Sequence, residues 1–74
     1  MIDLANDRIL SIPDASRYLR KRLREKKRPH TATVYRWTHQ GLNGVLLESV
    51  QIGSKRYTSV EALQRFTREL SGVS

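Results

Sequence analysis

Residues 30–41 read HTATVYRWTHQG, a stretch holding one arginine, one tyrosine, one tryptophan and two histidines beside three threonines. These side chains donate and accept hydrogen bonds, and they suit the binding of an anion or a base edge better than bond-making chemistry. At 100° per residue, Val34, Trp37 and Thr38 share one side of a helix. Ala32, Tyr35, Arg36 and His39 share the opposite side, with Thr31 and Gln40 at the boundaries. A solvated helix face ordinarily carries Glu and Lys in i,i+4 pairs. This face carries neither, and no acid occurs between Glu25 and Glu48.

Such a face fits a DNA groove. Arg36 can give two hydrogen bonds to guanine O6 and N7, or neutralise a phosphate. Ala32 is small enough for close approach or for contact with a thymine methyl. The hydroxyls of Tyr35 and Thr31 can reach phosphate oxygens, and the helix N-terminus turns free N–H groups toward anions. His39, with Gln40 beside it, can reach base or backbone with some pH dependence. The plain alternative, an amphipathic helix whose Val34 and Trp37 serve the core, accounts for the inner side and leaves the outer one unexplained.

The surroundings are basic. The chain has 14 Lys and Arg against 7 Asp and Glu, a net charge of +7 on 74 residues, which favours a polyanionic partner. Residues 17–28, RYLRKRLREKKR, hold eight of those cations and one acid, Glu25. Arg17, Arg20, Lys21, Arg24, Lys26, Lys27 and Arg28 are candidates for tracking phosphates, a role that confers affinity without sequence preference. Lys55 and Arg56 beside Gly53-Ser54 put two more cations on a turn able to follow phosphates or enter a minor groove.

Other chemistries find little footing. His30 and His39 do not share a helical face and lack a carboxylate pair for a metal. No Gly-rich phosphate loop occurs and no serine has an evident base, so neither catalysis, a cofactor nor a small-molecule ligand is expected. The chain has no cysteine, hence no disulfide framework. No apolar run approaches the ~20 residues that span a membrane. The opening MIDLANDRIL does not read as a signal peptide, and its Met1 reads as a natural start, so a cytoplasmic, nucleoid-associated location is expected. RNA binding is one alternative, although only Tyr57 offers an aromatic on an expected strand for stacking. A protein-binding adaptor is the other, with Val45, Leu46 and Leu47 as its apolar surface unless they are strand core.

The elements that must hold these residues are also legible. Ser11 with Asp14 three residues on resembles a capping box, and Pro13 suits a first helical turn. The helix it opens puts Ala15, Tyr18, Leu19 and Leu23 on one side and Arg17, Arg20, Lys21 and Arg24 on the other, with Arg22 intruding on the apolar side. Pro29 stops any continuation. His30 or Thr31 caps the second helix and Gly41 ends it. Asn43-Gly44 signals a turn. Residues 45–52 are β-rich, and Gly53-Ser54 reverses them into 55–58 as a hairpin. Thr58 and Glu61 form a second capping box ahead of a packing helix at about 59–70, with Leu63, Phe66 and Leu70 on its stripe. Residues 1–10 are ambiguous; Ile9 and Leu10 form either a lead-in strand or an anchor for the first helix. The expected fold is mainly α with a small β-hairpin, in the order helix-helix-hairpin-helix. It is one domain with its core at about 9–70, a basic connector at about 20–29 and the hairpin at about 45–58.

The segments ILSIPDASRYL, TATVYRWTHQG and VQIGSKRYTSVEALQRF resemble the excisionase-like branch of the MerR-type winged helix-turn-helix proteins, and short uncharacterised bacterial proteins of the same pattern. That resemblance implies a recognition helix at Thr31–Gln40 in the major groove, Lys55 and Arg56 on the wing, and Trp37, Tyr57, Leu63 and Phe66 in the core. It implies double-stranded DNA as partner, bound by a small transcription regulator or by an architectural factor that bends DNA and steers a recombinase. A second copy on the DNA is the other implied partner. Two features depart from the pattern: about eight extra, mostly basic residues between the first two helices, and His30 where a serine is usual.

Overall fold

The computed structural model describes residues 2–23 and 30–72, without the side chains of Arg22 and Leu23. Strand β1 (Ile9–Ser11) leads directly into helix α1 (Ile12–Leu23). The Asp14 amide donates to Ser11 Oγ at 3.2 Å, the half of the expected capping box that frees the first turn from an orphan N–H. Helix α2 (Thr31–His39) follows, then the hairpin of β2 (Val50–Ile52) and β3 (Lys55–Ser59), and helix α3 (Val60–Leu70).

The hairpin closes over Gly53-Ser54, with Ile52 opposite Lys55 and Gly53 at φ +63°. A two-residue loop with a left-handed first residue matches the right-handed twist of the strands, and glycine takes that angle without steric cost. β3 is the centre of a three-stranded antiparallel sheet in the order β1-β3-β2. Ile9, Leu10 and Ser11 pair with Ser59, Thr58 and Tyr57, so the lead-in segment is a sheet strand. The fold is therefore mixed α/β, three helices with a three-stranded sheet, rather than mainly α with a hairpin alone.

The core is drawn from every helix: Ile12, Ala15 and Leu19 of α1, Val34 of α2, and Ala62, Leu63 and Phe66 of α3, joined by Leu47 from the loop before β2. Trp37 and Leu70 pack against it from partly buried positions. Tyr57, expected inside, is half-buried.

Two local expectations are corrected. Residues 45–49 are not strand. Leu42 and Val45 exchange both backbone hydrogen bonds across Asn43-Gly44, at 2.8 and 3.0 Å, and the Leu47 N–H donates to Trp37 O at 3.0 Å. The Glu48 carbonyl accepts from Thr58 Oγ1 at 2.8 Å. With these groups committed to the end of α2 and to a side chain, ladder pairing begins only at Val50. Likewise, α3 is not capped by Thr58 with Glu61. Ser59 is the N-cap, its Oγ accepting from the Ala62 amide at 2.9 Å. Glu61 instead reaches back to the residue before β1, accepting from Arg8 N at 2.9 Å and Arg8 Nε at 3.0 Å.

Candidate functional site

Helix α2 begins where His30, extended at φ −62° and ψ 143°, turns its ring back on the chain. Its Nδ1 accepts from the Ala32 amide at 3.1 Å, so the His30 ring itself caps the helix. The helix ends at Gly41, φ +77°. A Cβ there would lie 2.5 Å from Val45 O, so glycine is required both by the left-handed angle and by the close return of the chain.

The inner side of α2 is settled by packing. Val34 is fully buried, and the Trp37 ring lies 5.3 Å from that of Phe66 with 35° between planes. This leaves Ala32, Tyr35, Arg36, His39 and Gln40 exposed and Thr31 half-buried. Tyr35 and His39, one helical turn apart, meet edge to face with ring centroids 4.6 Å apart. The i,i+4 spacing was the available signal for this contact, and it makes the two rings one unit that limits each other's rotamers. Arg36 has no ion pair among the described residues.

Along α1, Arg20 and Lys21 are exposed, again without an ion pair among the described residues. Arg17 is exposed too, but its Nη1 lies 2.6 Å from Asp14 Oδ1, so its charge is partly offset. The expected contributions of Arg24, Lys26, Lys27 and Arg28, and the stop at Pro29, lie outside the described residues.

The two hairpin cations differ. Lys55 is exposed. Arg56 is half-buried and tied to its own hairpin, Nη1 donating to Ser49 Oγ at 2.9 Å and Nη2 to Gln51 Oε1 at 3.2 Å. Its guanidinium therefore braces β2 against β3, and Lys55 is the cation presented outward. Sequence spacing gave no sign of this division, because Ser49 falls in a stretch expected to be regular strand.

A shallow groove of about 420 Å³ runs between the start of α1, Tyr35 of α2 and β3, lined by Ile12, Pro13, Tyr35, Lys55, Arg56 and Tyr57. It became visible only through β1, which brings the first turn of α1 beside Tyr57. No cluster of three or more His, Asp or Glu able to hold a metal occurs among the described residues, nor any helix long and apolar enough to cross a membrane.

Residues 21–70 match the family described as protein of unknown function (DUF1580). The chain belongs to the DUF1580 family. Its match takes in α2, the hairpin and α3, and leaves out β1 and most of α1. In this DUF1580 chain the exposed face of α2 and the outward Lys55 thus lie inside the family match, and Arg17 and Arg20 lie outside it. No curated protein and no solved structure matches the chain.

Proposed function

We propose that this DUF1580 protein binds double-stranded DNA in the manner of a winged helix-turn-helix. In this reading α2 enters the major groove through Ala32, Tyr35, Arg36, His39 and Gln40. The hairpin is the wing and touches backbone or minor groove through Lys55. Arg20 and Lys21 follow phosphates.

One observation carries the reading. Burial of Val34 and packing of Trp37 on Phe66 leave the other side of α2 exposed, with an arginine and a tyrosine and no acid paired to them among the described residues. A helix of nine residues is about 13 Å long, comparable with a major groove about 12 Å wide. Within this reading the protein acts as a small transcription regulator or as an excisionase-type architectural factor, together with a recombinase or a second copy on the DNA, and resides at the nucleoid.

Selection of bound sites from random duplexes, followed by titration against salt, tests it. The expected result is an enriched sequence, with a log–log salt slope that flattens by about 1 when Lys21→Ala removes one phosphate contact. Recovery of unselected sequence would refute the reading.

A further inference from the structure

A second groove, about 570 Å³ in volume, lies between α1 and α3 on residues that the duplex reading does not use. Its walls are Tyr18 and Leu19 of α1 and Leu63, Gln64, Thr67 and Arg68 of α3, with Ser71 at the end of α3. Sites for small organic molecules commonly measure about 300–1,000 Å³ and combine apolar surface with a few placed polar groups. Leu19 and Leu63 are buried and form the floor, and the half-buried Tyr18 ring stands beside them. We infer that this groove binds a small organic carboxylate, its hydrocarbon part against the Tyr18 ring and the leucine floor and its carboxylate on the Arg68 guanidinium. The inference stands apart from the duplex reading. Helical periodicity treats these positions as two packing stripes, which is why the sequence alone gives no expectation of a ligand there.

The polar part of the lining selects the charge of the occupant. The hydroxyls of Thr67 and Ser71 donate to Gln64 O at 3.1 Å and to Arg68 O at 2.8 Å, so their hydrogens are spent on the helix itself. The Tyr18 hydroxyl, the Gln64 carboxamide and the Arg68 guanidinium make no side-chain hydrogen bond or ion pair among the described residues. Each of the three can donate, and the guanidinium fork matches both oxygens of a carboxylate. The lining contains no acid. A cationic ligand would therefore find no counter-charge, and a neutral one would leave the arginine unused. A bare inorganic anion would leave the apolar floor uncovered. A carboxylate on a hydrocarbon body uses both halves of the groove.

The test follows the amide NMR signals of the isotope-labelled full chain during titration with naphthoate and, separately, with naphthamide, the uncharged molecule on the same ring. Naphthoate should shift the signals of residues 18–19 and 63–71 saturably, with one molecule bound per chain. Naphthamide should bind about tenfold more weakly, the scale of one hydrogen bond to a charged group. Arg68→Gln, a change at an exposed position, should bring naphthoate down to the level of naphthamide. Tyr18→Phe should weaken naphthoate a few-fold, and Lys55→Ala, which removes a cation outside the groove, should change nothing. Inorganic phosphate at the same concentration should not displace naphthoate. Shifts that do not saturate or that centre on α2 and the hairpin, undiminished binding in Arg68→Gln, or displacement by phosphate would overturn the inference.

Discussion

The Trp37 indole rests on the Phe66 ring, centroids 5.3 Å apart, and this contact joins α2 to α3. It sets which way α2 faces, since the helix has one buried residue of its own, Val34. Phe66→Ala should destabilise the fold by about 3–5 kcal/mol, because a buried aromatic is replaced by a cavity. In a double-mutant cycle with Trp37→Ala the pair should show a coupling of about 0.5–1.5 kcal/mol. Urea unfolding of the four proteins measures it; strict additivity would mean that the rings do not support each other.

Two glycines of one short loop should respond differently to alanine. At Gly41 a Cβ would lie 2.5 Å from the Val45 carbonyl oxygen, which is itself bonded to Leu42 N. At Gly44, φ +81°, nothing lies within 4 Å. Gly44→Ala should therefore cost only the left-handed backbone penalty of about 1–2 kcal/mol, and Gly41→Ala clearly more. Equal thermal unfolding midpoints would contradict the close return of the chain at residue 45.

Ser59→Ala removes the cap of α3 and also the donor to Asp7 Oδ2 at 3.2 Å. Ser59 is fully buried, so the loss should reach the upper part of the usual capping range, about 1–2 kcal/mol. Thr58→Ser keeps the hydroxyl that reaches Glu48 O and should leave the cap intact. An unchanged denaturant unfolding free energy in Ser59→Ala would contradict this cap and reinstate the capping box that the T-x-x-E spacing predicts.

That misreading shows where sequence reasoning reaches and where it stops. Signals confined to a few neighbouring residues were legible: Ser11 bonded to Asp14, a cap at His30 or Thr31, Gly41 as stop, Gly53-Ser54 as the hairpin loop. The two faces of α2 were legible too, since periodicity alone separates Val34 from Arg36. What failed or was left open depended on distant partners. Glu61 is drawn away from capping by Arg8, 53 positions earlier. β1 exists as a strand because it pairs with β3, far along the chain. Residues 45–49 are irregular because Trp37 and Thr58 claim their backbone groups. The groove beside Lys55 shared that fate, assembled from three elements far apart in sequence.

The Glu61 carboxyl titrates below the usual range, chiefly because the Arg8 backbone N–H donates to it, with the Arg8 side chain adding to the effect. A carboxylate with a depressed folded pKa stabilises the fold above its unfolded value of about 4.3. That contribution is lost as pH falls through the lower folded value. Parent stability should therefore decline below about pH 5 more steeply than that of Glu61→Gln, the two converging in stronger acid. Asp3, held low first by the Asn6 side chain and then by the Ala5 amide, has the same sign in both proteins and cancels from the comparison. Parallel curves of unfolding free energy against pH would contradict the Glu61–Arg8 linkage.

If the outward side of α2 reads duplex DNA, Arg36 is its most exacting residue. The direct measurement is equilibrium binding of the parent and Arg36→Ala to a selected duplex, a scrambled duplex and an RNA of the same sequence, at one fixed salt concentration. The parent should prefer the selected duplex over both competitors. Arg36→Ala should lose about 1–3 kcal/mol on that duplex with little change on the scrambled one. Equal binding of all three polymers by the parent, or an Arg36→Ala protein that discriminates as well as the parent, would contradict duplex reading by α2.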